Sequence, residues 1–121
     1  MPLNDARNEP GYVCGRIIAS FELIAAQDGK MLPRNDLNLS ATAPKYTIPR
    51  LRAGVVCKAL AHMRPRDRRR VEAFEEHLSS LFEMLDSIPE RLDQTQRMQY
   101  VLGEAHQKVV GLPPYGPIRG R

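Results

Sequence analysis

The chain reads as an all-α protein: a helical bundle of four main helices, with a short helical turn in the first connector and an extended Pro-rich C-terminal tail. Three observations predict this class. Apolar residues recur at three- and four-residue steps in four separate segments, the period of a helix with one buried face. Residues that cap or stop helices stand at the segment borders. No segment alternates polar and apolar residues as a half-buried strand does. A length of 121 residues suits one domain around one core. The expected organisation is a mobile leader over 1–9, a single helical-bundle domain over 10–111 and an extended or disordered tail over 112–121.

In chain order, the first helix is expected over 10–28. Tyr12, Val13, Ile17, Ile18, Phe21, Leu23 and Ile24 give its apolar pattern, Asn8 its cap, Pro10 its first turn and Gly29 its stop. Asp36-Leu37-Asn38-Leu39 can make a helical turn in the connector. Pro44 and Pro49 stand five apart and forbid one undisturbed helix through both. A second helix is therefore expected over 48–63, capped by Thr47, with Leu51, Val55, Ala59 and Met63 on one face. Asp67 caps a third helix over 67–86, with Val71, Phe74, Leu78, Leu81, Phe82 and Leu85 inward and Glu72, Glu76, Ser79 and Glu83 outward. Ser87-Ile88-Pro89-Glu90 and Asp93-Gln94-Thr95-Gln96 both have the form of a capping box. Met98, Val101, Leu102, Ala105 and Val109 then predict a last helix over 93–110, stopped by Gly111. The core is expected at Ile17, Phe21, Phe74, Leu78, Leu81 and Val101. Gly15, Gly54 and Gly103 each cost about 1 kcal/mol against Ala inside a helix, so close helix approach is expected at each.

Composition narrows the function. Aromatic residues are 6% of the chain and Trp is absent, poor material for a protein that stacks bases on a sheet. No apolar run approaches the ~18 residues of a membrane span, and the N-terminus lacks a signal-peptide core. A cytoplasmic protein with no membrane partner is expected. Cys14 and Cys57 are too few for a disulfide framework or a four-cysteine zinc site, and each reads as a buried free thiol. His62, His77 and His106 fall on three different helices with no zinc spacing; His77, beside Glu72, Glu75 and Glu76, reads as solvated. There is no phosphate loop and no nucleophile elbow. No catalytic residue, metal or cofactor is expected.

The charge distribution is the stronger signal. Residues 45–70 hold nine Lys or Arg and one acid, whereas residues 71–95 hold seven acids and one base. The candidate nucleic-acid-binding residues are Lys45, Arg50, Arg52, Lys58, Arg64, Arg66, Arg68, Arg69 and Arg70. Arg50, Gly54 and Lys58 share a helix face by four-residue spacing. Arg68, Arg69 and Arg70 fall in the first turn of the third helix, where they oppose the positive end of its macrodipole by roughly 0.3–1 kcal/mol each. Arg68 also precedes Glu72, the weaker order for an i,i+4 pair. Stability alone would place acids there, so an anionic polymer is the expected partner, met through its sugar-phosphate backbone.

Three motifs add a family resemblance. Pro10-Gly11-Tyr12-Val13-Cys14-Gly15-Arg16-Ile17-Ile18-Ala19-Ser20-Phe21-Glu22 resembles the pattern Pro-x-Tyr-x-x-Gly-Arg-Leu-x-Ala-x-x-Glu in the C-terminal helical region of the large subunit of type I-C CRISPR Cascade complexes. Ser40-Ala41-Thr42-Ala43-Pro44 followed by Pro49-Arg50-Leu51 is similar to that family's next element. Leu102-Gly103-Glu104-Ala105-His106-Gln107 is similar to its Gly-Tyr-Tyr-His-Gln element, with Glu104 and Ala105 replacing both aromatics. The resemblance spans about residues 10–108 and shares the order of the motifs. The connector over 29–43 is shorter and less aromatic than the family pattern, and the Arg-Gly-Arg tail falls outside it. In that family the same region is also made separately as the small subunit. Because the chain starts at Met1 and holds little else, the resemblance implies a free-standing small subunit. Its implied partners are guide RNA and target DNA, together with the large and backbone subunits of a type I CRISPR complex, in multiple copies. Two other classes fit the charge pattern: a helical adaptor docking an acidic protein, and a free-standing helix-turn-helix regulator. Against the latter, Glu72, Glu75 and Glu76 occupy the helix that would have to approach DNA.

Overall fold

A computed structural model describes residues 7–113. All regular structure among them is helical: α1 Pro10–Gln27, α2 Arg34–Ser40, α3 Pro44–Leu51, a π-helical segment Arg52–Val56, α4 Cys57–Met63, α5 Arg68–Glu83 and α6 Gln94–Val110. Because α3, the π segment and α4 follow without a break, the elements form five helical rods. The expectations for residues 1–6 and 114–121, most of the leader and tail, lie outside the described residues.

α1 is the centre of the molecule. Every residue from Gly11 to Phe21 is buried, so this helix is covered all round rather than on one face. Pro10 occupies its first turn. The expected Asn8 cap is not formed: Glu9 holds the N-cap position and its side chain makes no capping bond. Gly29, at φ +69°, turns the chain out of the helix in the left-handed conformation that glycine tolerates best.

α1 and α6 run parallel in the tightest seam of the fold. A Cβ on Gly11 would stand 2.2 Å from the Gln96 carbonyl oxygen, one on Gly15 2.0 Å from that of Tyr100, and one on Gly103 2.1 Å from that of Tyr12. Polar pairs line the seam. Tyr12 shares a 2.9 Å hydrogen bond with Nδ1 of His106, and Nε of the buried Arg16 donates to Oε1 of Gln107 at 2.9 Å. The Tyr100 hydroxyl bonds Ser40 at 2.7 Å.

This seam corrects the expectation for the last helix. Its inward face is Tyr100, Gly103, His106 and Gln107. Met98, Val101 and Val109 are 69%, 63% and 67% exposed, so Val101 is not core. Close backbone approach, which needs Gly103 against α1, and the polar pairs decided the rotation of α6; the larger apolar residues were left outside. Gly54 departs in the opposite sense: a Cβ there would meet nothing within 4 Å, so no close approach explains it.

The second expected helix begins earlier than 48. It starts at Pro44, and Thr47 is not its cap but lies inside it, donating back to the Ala43 carbonyl at 3.3 Å. The rod does pass through Pro49, and it is disturbed: the buried ridge steps by five residues from Leu51 to Val56, then continues at Ala59, Leu60 and Met63. The π segment absorbs that extra residue. It also breaks the even spacing expected for Arg50, Gly54 and Lys58, and leaves Val55 only half-buried.

α5 begins as expected, with the Asp67 carboxylate accepting from the Arg70 N–H at 3.1 Å, and ends at Glu83. Val71, Phe74, Leu78 and Leu81 are buried in one cluster with Ile17, Phe21, Ile48 and Leu51. His77 is not solvated: it is buried, with Nε2 2.8 Å from the Ser20 hydroxyl. The Ser87–Glu90 box starts no helix. That segment instead docks on the α2–α3 corner, Lys45 N–H to Pro89 C=O at 3.1 Å and Leu92 N–H to Thr42 C=O at 3.0 Å. The second box forms fully at Asp93 and Gln96.

Candidate nucleic-acid interface

The nine candidate cations occupy one continuous stretch of helix and corner, and all nine are exposed. Lys45 stands in the first turn of α3, Arg50 near its end, Arg52 at the start of the π segment and Lys58 in α4. Arg64 and Arg66 lie in the α4–α5 corner; Arg68, Arg69 and Arg70 form the first turn of α5. The corner is built from local chemistry. The Met63 carbonyl accepts from the Arg66 and Asp67 N–H groups at 3.0 and 2.9 Å, and Asp67 then caps α5.

The structure divides these cations into two groups. Arg50 pairs with Asp36, Arg64 with Glu75 at 2.8 Å, Arg68 with Glu72 at 3.3 Å and Arg70 with Asp67 at 3.2 Å. Arg70 also donates to the Gln27 side chain at 3.2 Å, which ties the corner to the end of α1. The Arg52 guanidinium lies 4.3 Å over the Phe82 ring, a cation–π contact. Lys45, Lys58, Arg66 and Arg69 have no carboxylate partner among the described residues. Two of these four, Arg66 and Arg69, flank the N-terminus of α5, where backbone N–H groups add positive potential.

Sequence reasoning named the Arg68–Glu72 pair but not the longer ones. Arg64–Glu75 spans eleven residues across the corner, and Arg50–Asp36 spans fourteen. Neither separation belongs to a helix rule. Nor did it find the buried polar pairs of the α1–α6 seam, although Gly11, Gly15 and Gly103 mark where that seam lies.

Other chemistry is sparse among the described residues. No three His, Cys, Asp or Glu side chains converge as a metal site would require. Cys14 is buried and its thiol is pushed up to about 12 by that burial, which keeps it a neutral packing group. Cys57, expected to be buried, is exposed, because the π segment turns it out of the ridge that Val56 enters. Glu22 and Glu104 meet between α1 and α6 with the Lys108 ammonium 3.2 and 3.6 Å away. Burial and then the hydrogen bond to Glu22 raise the Glu104 carboxyl above its usual range, against the pull of Lys108. No helix among the described residues is long and apolar enough to cross a membrane. No protein-family model and no curated protein matches the chain.

Proposed function

We propose that this chain is a non-catalytic small subunit of a CRISPR RNA-guided surveillance (Cascade) complex of the type I-C kind. In this reading it works in the cytoplasm, in several copies, beside the large and backbone subunits. It needs no cofactor, and its basic track lies along the guide RNA and target DNA. The scaffold is read as a bundle of four longer rods, α1, the 44–63 rod, α5 and α6, with α2 as an accessory. Exchange of a DNA duplex for a guide–target hybrid is nearly balanced, so sequence-independent contacts to the backbone can tip it.

One observation carries the nucleic-acid part: Arg66 and Arg69 have no carboxylate partner among the described residues and stand at a helix N-terminus, a place that local energetics disfavours for cations. The subtype rests on the three motifs in order. The helix-turn-helix alternative is weakened by the exposed Glu72, Glu75 and Glu76 that follow the corner. An adaptor for an acidic protein would use the same corner but would bind no DNA.

The test changes Arg66, Arg68 and Arg69 together to Ala and measures target binding by the assembled complex over a salt series. Affinity should fall for all target sequences alike. The slope of log affinity against log salt should flatten by about 0.9 for every phosphate that the variant no longer neutralises. Normal assembly with unchanged affinity and slope would reduce the corner to solvated surface.

A further inference from the structure

α5 and α6 both pack on α1 and make no substantial contact with each other. A cleft of about 350 Å³ is lined by Arg16 of α1, by one side of α5, and by Pro113, three residues beyond the end of α6. Its floor is buried and carries polar groups: Arg16 and His77 are 3% and 9% exposed, beside the buried Leu81. Ala73 and Met84 are half-buried at its sides, and Ser80 is exposed at its mouth. Glu76 belongs both to this cleft and to an acidic hollow that runs along the outside of α5 to Glu83. In that hollow Glu72 and Glu75 are already held by Arg68 and Arg64. Glu76 and Glu83 have no cationic partner among the described residues. They stand two helix turns apart, roughly 10 Å along α5.

We propose that this surface is the docking site of the chain's own C-terminal segment 114–121: Tyr115 enters the cleft, and Arg119 and Arg121 meet Glu76 and Glu83. Reach favours this occupant. Tyr115 follows two residues after Pro113, which already lines the cleft. Four more residues of extended chain span up to about 14 Å, enough to carry Arg119 from the cleft to either carboxylate. Chemistry favours it too. A phenol has an apolar ring for Ala73, Leu81 and Met84, and a hydroxyl that needs polar company when buried, which Arg16, His77 and Ser80 supply. The segment holds two arginines and no acid, which matches the two carboxylates that α5 leaves without a cation. Pro114 and Pro117 restrict the unbound segment and so lessen the cost of ordering it. Docking ties the end of α6 to α5, two rods otherwise joined mainly through α1. No residue of the basic track lines the cleft, so this contact and the nucleic-acid reading can fail separately.

The chain has no Trp, so Tyr115→Trp in the full chain places a single indole at the docking position. Its emission should be blue-shifted, and shielded from acrylamide, relative to the same chain in urea. Two changes at exposed positions of α5 should undo this. Ser80→Arg narrows the mouth of the cleft and repels the arginines of the segment. Glu76→Lys with Glu83→Lys reverses the charge that they meet. Each should shift the emission to the red and restore quenching, with circular dichroism confirming that the variant folds. Dilution should leave the emission unchanged, because the segment docks on its own chain. In the parent chain, nuclear Overhauser contacts from the Tyr115 ring to the Ala73 and Met84 methyl groups test the same placement without the larger indole. Absence of those contacts overturns the proposal, whatever the indole reports. So does a shielded indole that either α5 variant leaves in place. Emission that reddens on dilution also overturns it, and assigns the cleft to the segment of another copy.

Discussion

Gly15 decides whether α1 and α6 can lie as close as they do, and replacing it with Ala is the sharpest test of the fold. The added Cβ would stand 2.0 Å from the Tyr100 carbonyl oxygen and 2.8 Å from the Glu104 nitrogen. A carbon–oxygen contact needs about 3.3 Å even when attractive, so the seam must open by more than about 1 Å. Both obstructing atoms are backbone atoms of α6, and no side-chain rotation relieves them. Opening the seam also loosens the Tyr12–His106 and Arg16–Gln107 hydrogen bonds. Against this, Ala gains about 1 kcal/mol of helix propensity over Gly. Overpacking of about 1–3 kcal/mol, together with the disturbed polar pairs, outweighs that gain, and a net loss of about 2–4 kcal/mol is expected. With a total stability of roughly 5–15 kcal/mol, such a loss is readily measured. The assay is urea unfolding followed by far-UV circular dichroism. Gly54→Ala is the internal comparison: its Cβ meets nothing within 4 Å, so propensity acts alone and the variant should gain about 0.5–1 kcal/mol. If Gly15→Ala stabilises the protein as Gly54→Ala does, the close parallel crossing is refuted.

Two further expectations follow from burial. Leu78→Ala, at a position 2% exposed, should cost about 2–5 kcal/mol, whereas Val101→Ala on the outer face of α6 should change stability by no more than about 0.5 kcal/mol; equal effects in urea unfolding would place α6 the other way round. His106 is buried, its Nε2 has no hydrogen-bond partner among the described residues, and burial, reinforced by the nearby Arg7, holds its pKa below the ordinary 6.5. A base depressed in the folded state favours folding while it stays neutral, so its contribution is full above pH 6.5 and is lost as pH falls through the folded value. Unfolding midpoints at pH 7 and pH 5 should therefore differ less in His106→Gln than in the parent chain. The raised Glu104 carboxyl works in the opposite direction and is present in both proteins.

How much of this was legible in the sequence depended on whether a feature was local. Asp67 and Asp93 cap the helices they were expected to cap, because a cap is chemistry between residues three apart. Leu78, Leu81 and Phe74 lie inward because their spacing is one period of one helix. The rotation of α6 was not legible by periodicity, since its buried face holds Tyr100, Gly103, His106 and Gln107, which no hydrophobic count would select. The signal lay in Gly11, Gly15 and Gly103 taken together: small residues four apart on one helix and another on a second mark a backbone crossing. The π turn was half-legible. Pro49 announced a disturbance, but the disturbance shifted the ridge by one residue and the rod continued.

The same division between local and distant chemistry sets how the basic track can work. Arg64, Arg68 and Arg70 are neutralised by α5 and its cap, so they look already occupied as ligands for phosphate. Each of these pairs is exposed on both sides, however, and exposed pairs contribute only about 0–1 kcal/mol. On the proposed reading, an arriving phosphate can therefore take the arginine with little loss of stability and leave the carboxylate to water. Arg66 and Arg69 need no such exchange and would be engaged first, at the end of α5 where its N–H groups already favour an anion. On the proposed nucleic-acid reading, the carboxylates act as holders rather than competitors. Glu75 holds Arg64 across the corner, Glu72 and Asp67 hold Arg68 and Arg70 along α5, and a held side chain has less rotamer entropy left to lose on binding than the roughly 2 kcal/mol of a free Arg. These carboxylates also keep a strongly cationic corner from repelling itself when no partner is present. On this account the acids of residues 71–95 and the bases of residues 45–70 form one device, and Glu72 and Glu75 belong to it as much as the cations they hold.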